Sequence, residues 1–346
     1  MKKLIKLTAV AAGLTCAALS AQAQTVTLKV HHFLNATTVQ HTKMLRGWCD
    51  NLAKDSGNKL QCNIFPSMQL GGTQPQLFDQ ARTGVADVVW TLPSSTAGRF
   101  PKMEVFELPF TMTTAEATSA AAWDYYDKNA RDEFKDVKVV AMHVHGPGVI
   151  FSAKKPITTM ADMKGMKVRA PTRMVSKLIA SVGGVPVGMP VPGIPDALSK
   201  GVLDGAVTTY EVSPSIKLNE LTKHVTETDR NQPGLYTTLF VVAMNKAKYE
   251  SLSPDLQKVV DKHSGRDVSV WMGKILGDND VPGKDKFIAA KNTVNVISAA
   301  ELEKWKQASS RIDDEWIATV AKKGADGNAL LADARALIQK HTAAAK

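Results

Sequence analysis

The sequence predicts an α/β protein made of two doubly wound units that share one chain, and three observations carry that prediction. Strand-like and helix-like segments alternate from about residue 25 onward, the alternation runs through two successive units, and no Pro/Gly/Ser-rich linker separates them. Two such units without a linker are expected to be interwoven rather than strung in series. The 346 residues are 44% hydrophobic and 22% charged, enough for two packed cores and incompatible with disorder or coiled coil as a description of the whole.

Thr25 to Val30 alternates as a strand, and Thr37 to Ala53 follows as a helix with Val39, Met44, Leu45, Trp48 and Leu52 on one side. Lys59 to Phe65 is the next strand, Gln74 to Arg82 a helix, and Ala86 to Leu92 a nearly continuous apolar strand, as a sheet covered on both faces requires. Thr114 to Lys135 is helical, and strands Val137 to Val144 and Val149 to Ser152 follow it. The second unit opens with strand Met166 to Arg169, closed by Pro171. Helix Met174 to Val182 then stops at Gly183-Gly184, before helix Gly193 to Gly201 and strand Ala206 to Thr209. Beyond lie strands His224 to Thr226 and Tyr236 to Ala243, a helical stretch Pro254 to Leu276 and strand Val294 to Ile297. Amphipathic helices Ala299 to Ala321 and Asn328 to His341 end the chain.

The first 23 residues read as a cleaved signal peptide. Lys2, Lys3 and Lys6 precede an apolar run from Leu7 to Leu19, and Ala21-Gln22-Ala23 has the small-x-small pattern of a cleavage site. That run is shorter than the roughly 20 residues a membrane span needs. A lipid anchor at Cys16 is disfavoured, because Gly13-Leu14-Thr15 lacks a small residue just before the cysteine. The mature chain then starts near Gln24 with 40 basic and 33 acidic side chains, and is expected in the periplasm without a membrane anchor of its own. Cys49 and Cys62 remain, an even count in an oxidising compartment. A disulfide is favoured over two free thiols, and a metal pair is disfavoured because no further ligand lies at suitable spacing.

Open parallel sheets bind ligands beyond the carboxyl ends of their strands. Four such ends stand out: His31-His32-Phe33, Trp90-Thr91-Leu92, Arg169-Ala170-Pro171 and Thr208-Thr209-Tyr210. A guanidinium at a strand end can hold a carboxylate through two parallel charged hydrogen bonds, so Arg169 is a candidate clamp; the competing use is a surface or interlobe salt bridge. His143 and His145 share a strand face, compatible with a metal pair or with a polar rim, whereas the neighbouring rings of His31 and His32 point to opposite faces. The acids read as helix caps and one-turn partners on solvated faces, Glu301 with Lys304 for example. G-x-S-x-G, H-E-x-x-H and C-x-x-C are absent, and Ser176-Lys177 completes no nucleophile motif. Gly71-Gly72 lacks the rest of a phosphate loop, and the basic residues lack the aromatic interleaving of a nucleic-acid surface. No enzyme chemistry, cofactor or nucleic-acid partner is indicated.

Pro66-Ser67-Met68-Gln69-Leu70-Gly71, Leu77 to Gly84 with Ala86-Asp87, and Met160-Ala161-Asp162-Met163-Lys164-Gly165-Met166-Lys167-Val168-Arg169-Ala170-Pro171 occur in a telling order. With Ala197 to Gly205 and Leu252 to Val260, they resemble the DctP-type solute receptors of TRAP (tripartite ATP-independent periplasmic) transporters over essentially the whole mature chain. The resemblance implies a two-lobed periplasmic-binding-protein-like α/β fold with crossing strands and a long interlobe helix. The lobes would be residues 24–147 plus 235–275 and 148–234 plus 276–346. It implies an organic-acid receptor that delivers its solute to membrane permease subunits and performs no chemistry. Arg169 matches the arginine that grips the solute carboxylate, and Phe33, Trp90, Thr91, Val191, Thr208 and Tyr210 match cleft positions.

The departures bear on the ligand. Sialic-acid-type members have a glutamate at the position of Leu92, a second arginine at Gly148, an aromatic ring at Val191 and an asparagine at Thr208. Sugar hydroxyls buried without partners cost about 1–3 kcal/mol each, so this cleft suits a monocarboxylate with an apolar body: an aromatic acid or a branched 2-oxo acid. Some relatives bind 2-oxo acids with a cation, for which Glu211 is the candidate here. A receptor for an ABC or tricarboxylate importer is the alternative reading, and an exported enzyme a weaker one.

Overall fold

A computed structural model of the chain describes residues 25–344. The leader over residues 1–23, with Cys16, lies outside the described residues. Eleven strands among the described residues form two sheets. The first takes β1 (Val26–His32), β2 (Leu60–Phe65), β3 (Val88–Thr91), β4 (Val137–Val144) and β10 (Leu239–Asn245), in the order β2-β1-β3-β10-β4. The second takes β5 (Val149–Ser152), β6 (Lys167–Ala170), β7 (Val185–Gly188), β8 (Gly205–Thr208), β9 (His224–Thr228) and β11 (Thr293–Ile297), in the order β11-β9-β5-β8-β6-β7. In each sheet one member runs against the rest: β10 is antiparallel to β3 and β4, and β5 to β8 and β9.

Those two antiparallel strands are where the chain changes sheet. It leaves the first sheet after β4 through residues 145–148, and returns through residues 229–238 into β10. β3 and β10 are buried at every position, which accounts for their unbroken apolar sequences. Tyr236 to Thr238, expected to open a strand, instead form the crossover, and Tyr236 O accepts a hydrogen bond from Gly148 N in the opposite crossover. The edge strand β7 was not foreseen, because Val185-Pro186-Val187-Gly188 is short, half-exposed and broken by a proline, as edge strands tolerate.

The helical stretch beginning at Pro254 divides at residues 263–265, and its second part, Arg266–Ala289, runs well past the expected end at Leu276. Gly277, Pro282 and Gly283 obscure that length in the sequence. Gly283 is there for clearance: a Cβ on it would collide with the carbonyl of Tyr210, just beyond β8 of the second sheet. The N-terminal part of this helix packs on helix Ala115–Tyr125 and β4 of the first sheet, so it bridges the two. The expected helix from Ala299 to Ala321 is two helices, Ala299–Ser309 and Arg311–Ala321. Helix Gly327–Ala344, grouped with the second lobe on sequence grounds, lies against Ala115–Tyr125, with Thr342 bonded to Thr113 and His341 to Asp124. Glu301 is not on a solvated face: it is buried and accepts from Met160 N at 2.7 Å while pairing with Lys304.

Cys49 on helix Arg46–Asp55 is bonded to Cys62 on β2, tying the first helix to the edge of its sheet across 13 residues. Loop-closure entropy makes such a cross-link worth about 3 kcal/mol. The double substitution Cys49→Ala, Cys62→Ala is expected to lower the unfolding free energy by about 2–4 kcal/mol in urea titrations. An unchanged midpoint would mean that the bond contributes nothing to stability.

Candidate functional site

The carboxyl ends of β1, β3, β6 and β8 converge on one narrow cleft between the two sheets. The first sheet contributes Phe33, Leu34, Trp90, Leu92 and Phe240; the second contributes Arg169, Pro171, Thr208, Thr209 and Glu211. Tyr236 and Thr238 come from the crossover between them, with His145 from the other crossover, Gln40 from the start of the first helical stretch and Val191 from a short helical turn.

Arg169 is fixed by its strand. It sits in β6 opposite Ala206 and Val187, 4% exposed, with Nε donating to Met189 O and Nη1 to Val207 O, both at 2.9 Å. Two of its five N–H groups are thus spent on carbonyls that hold the plane of the guanidinium, and the rest remain. Among the described residues it makes no ion pair. Burial brings its pKa down to about 10, so it stays charged at neutral pH. A buried charge without a counter-ion costs several kcal/mol, and an incoming carboxylate offsets that cost.

A stack of aromatic rings lines the same cleft. Trp90 stacks with Phe33 at 5.2 Å and with Phe240 at 4.6 Å, and its Nε1 donates to His143 Nε2 at 2.9 Å. The indole is thereby locked in place and its only donor satisfied within the protein. His143 and His145 are both fully buried against Phe240, their pKa values brought down to about 3 and 4 by burial, so both are neutral rings of this wall. Among the described residues no three His, Cys, Asp or Glu are grouped as a metal site, and both oxygens of Glu211, the candidate cation ligand, are engaged by Gln40 Nε2 and Thr209 Oγ1 at 2.8 Å.

Of the residues singled out from sequence, Arg169, Phe33, Trp90, Val191 and Thr208 line the cleft. Thr91 and Tyr210 do not. Successive side chains of a strand point to opposite faces, so with Trp90 turned to the cleft its neighbour Thr91 is buried on the other side. Tyr210 packs edge-on against Phe151, its hydroxyl donating to Glu227 at 2.8 Å. Besides Leu34, Gln40, Gln74 and Val212, the sequence reading missed Tyr236, Thr238 and Phe240. They lie in the crossover that leads into antiparallel β10 and at its amino end, whereas only carboxyl ends were searched.

Gly148 has a definite role in this arrangement. A Cβ there would collide with the Tyr236 ring, so the aromatic ring and a larger residue at 148 exclude one another. Also unforeseen is a buried acid pair: Asp280, on the long helix, accepts from Glu211 N at 3.0 Å; burial raises both carboxyl pKa values, and the neighbouring Asp280 charge raises that of Glu211 further. Glu107, fully buried and bonded to Ser94, is pushed up to about 8, chiefly by burial.

These acids hold protons in the folded state that the unfolded chain has already released, so stability falls as pH rises toward their folded pKa values. The buried histidines, lowered by burial, have already contributed their full stability above pH 6.5. Between pH 6.5 and 8.5 the ligand-free protein is expected to lose thermal stability, and Glu211→Gln to reduce that slope without abolishing it, since Glu107 remains. A slope unaffected by the substitution would contradict the raised pKa of Glu211.

The model of the bacterial extracellular solute-binding proteins, family 7, matches residues 30–319. A TRAP solute-binding protein from Rhodoferax ferrireducens, solved with copurified benzoate, is 48% identical, with 93% of this chain and 100% of that one covered at a TM-score of 0.92. A marine metagenome TRAP protein specific for aromatic acid ligands, solved with 3-hydroxybenzoate, is 42% identical over 92% and 99% of the two chains, TM-score 0.90. One from Bordetella bronchiseptica, with bound (R)- and (S)-mandelate, is 28% identical over 91% and 99%, TM-score 0.84.

Proposed function

We propose that this chain, which belongs to the family 7 bacterial extracellular solute-binding proteins, is the TRAP-transporter receptor for an aromatic monocarboxylate, with Arg169 as the carboxylate clamp. The observation that carries this reading is the buried guanidinium, without a counter-ion among the described residues, in one cleft with the stacked rings of Phe33, Trp90 and Phe240. One charge and an aromatic lining suit a ligand with one carboxylate and one ring.

The physical sequence of binding follows from which sheet carries which group. The carboxylate exchanges water for the free N–H groups of Arg169, gaining charge-assisted hydrogen bonds in a low-dielectric place. The ring exchanges water for the aromatic wall, worth about 2–4 kcal/mol from the apolar area it buries. Because the clamp belongs to the second sheet and the wall to the first, a single solute gains both only when the two approach. We take the moving bodies to be residues 24–147 plus 235–275 and residues 148–234 plus 276–326, turning about the crossovers and the long helix, with helix Gly327–Ala344 moving with the first body, on which it packs. The closed form would then be the one recognised by the membrane permease subunits, with the receptor working in the periplasm.

We take the receptor to perform no chemistry on its solute. Both histidines of the cleft region are neutral, His143 accepting from Trp90 and His145 bonding the Gly146 carbonyl through Nδ1. The relatives that carry the family are receptors too.

Calorimetric titration with benzoate tests the assignment. Arg169→Ala is expected to weaken binding by about 100- to 1000-fold, because the ligand carboxylate would then be buried unpaired. Arg169→Lys should recover only part of that loss, since an ammonium cannot present the same fork. A dissociation constant within threefold of the wild type in a folded Arg169→Ala protein would remove the arginine from the clamp.

A further inference from the structure

We infer that the cleft selects aromatic acids that carry a hydrogen-bond donor on the ring, a phenolic hydroxyl or an amine, and that Gln40 is the residue that reads it. The inference rests on the aromatic-acid reading above and deepens it.

Three polar side-chain atoms of cleft-lining residues are buried without a partner: Tyr236 OH, Thr238 Oγ1 and Gln40 Oε1. Tyr236 lies within electrostatic reach of Arg169 and also of Glu211 and Asp280, so its hydroxyl stands between the guanidinium and the acids. Gln40 is tied to the acids. Its Nε2 donates to Glu211 Oε1 at 2.8 Å, and Glu211 is in turn held by Thr209 Oγ1 at 2.8 Å and, through its backbone N, by Asp280. The amide is therefore tethered by one half while the other half, a carbonyl oxygen 2% exposed as part of its residue, is left open.

A buried carbonyl oxygen without a donor is a penalty that an unsubstituted ring does nothing to relieve. A ring hydroxyl or amine relieves it. The neighbours of Gln40 also define what enters: it is tied to a buried carboxyl, a hydroxyl and a second buried carboxyl, with no cation among them, so a second carboxylate would lose its water there without gaining a counter-ion, and dicarboxylates are rejected. With the acid group drawn to Arg169, the ligand is oriented end to end. Thr238, also 2% exposed, offers a hydroxyl in the same cleft that can give or accept a hydrogen bond.

A site built to bond a ligand O–H rejects the analogue lacking it more strongly than an apolar site rejects an added group. The test is calorimetric titration of the ligand-stripped protein with benzoate, 3- and 4-hydroxybenzoate, and 3- and 4-methoxybenzoate. Wild type is expected to bind at least one hydroxybenzoate about tenfold or more tighter than benzoate, and to show no such gain for the methoxy acids, which accept but do not donate. In Gln40→Met the ratio between hydroxybenzoate and benzoate should fall to within about threefold. If that variant fails to fold, the wild-type comparison of hydroxy with methoxy acids decides. A wild type that binds benzoate as tightly as every hydroxybenzoate, or a hydroxyl preference that survives Gln40→Met, overturns the role of Gln40 while leaving the receptor for aromatic acids intact. Binding of none of the five acids overturns both.

Discussion

A guanidinium held out of water with no anion beside it is the constraint around which this protein is organised. Arg169 has little freedom: its strand is hydrogen-bonded on both sides, and two of its N–H groups are committed to the carbonyls of Met189 and Val207. The remaining donors therefore present a fixed plane. Among the described residues the cost of keeping that charge dry is met by carbonyl dipoles, which pair with N–H groups and do not neutralise a charge. A solute carboxylate would, and in the proposed receptor the strength of the site comes from that difference.

The rest of the architecture serves to bring an apolar surface against this charge. Neither sheet alone makes the site. The crossovers at residues 145–148 and 229–238 carry His145, Tyr236 and Thr238 into the cleft, so the segments that join the two sheets also line the space between them. Tyr236 fits because residue 148 has no side chain, and the long helix passes close behind Tyr210 because residue 283 has none. The polar periphery is similarly economical: Gln40, Thr209, Glu211 and Asp280 form one connected set in which the acids are kept near neutrality by burial and by each other.

Much of this was legible in the sequence. Strands β4 and β5 appear at their predicted residues, and Arg169 and Trp90 were found by the rule that ligands gather at strand carboxyl ends. That rule failed for Tyr236, Thr238 and Phe240, because an antiparallel strand presents its amino end at the same edge. Tyr210 failed for a different reason: beyond the end of β8 the backbone turns, and strand alternation no longer says where a side chain goes. The pairing of Glu211 with Asp280 joins residues 69 apart across two elements, and only the length of a helix disguised by Pro282 brings them together. Local pattern identifies elements and their faces; it is silent on contacts that depend on how far an irregular helix reaches.

The most direct measurement of the central claim compares benzoate with benzamide, which has the same ring and nearly the same shape but no charge, by titration calorimetry on the ligand-stripped protein at neutral pH. A buried Arg169 that relies on the solute for its counter-ion requires benzamide to bind at least about 100-fold more weakly than benzoate. Equal affinities would mean that the ring alone drives binding and that Arg169 is not the clamp.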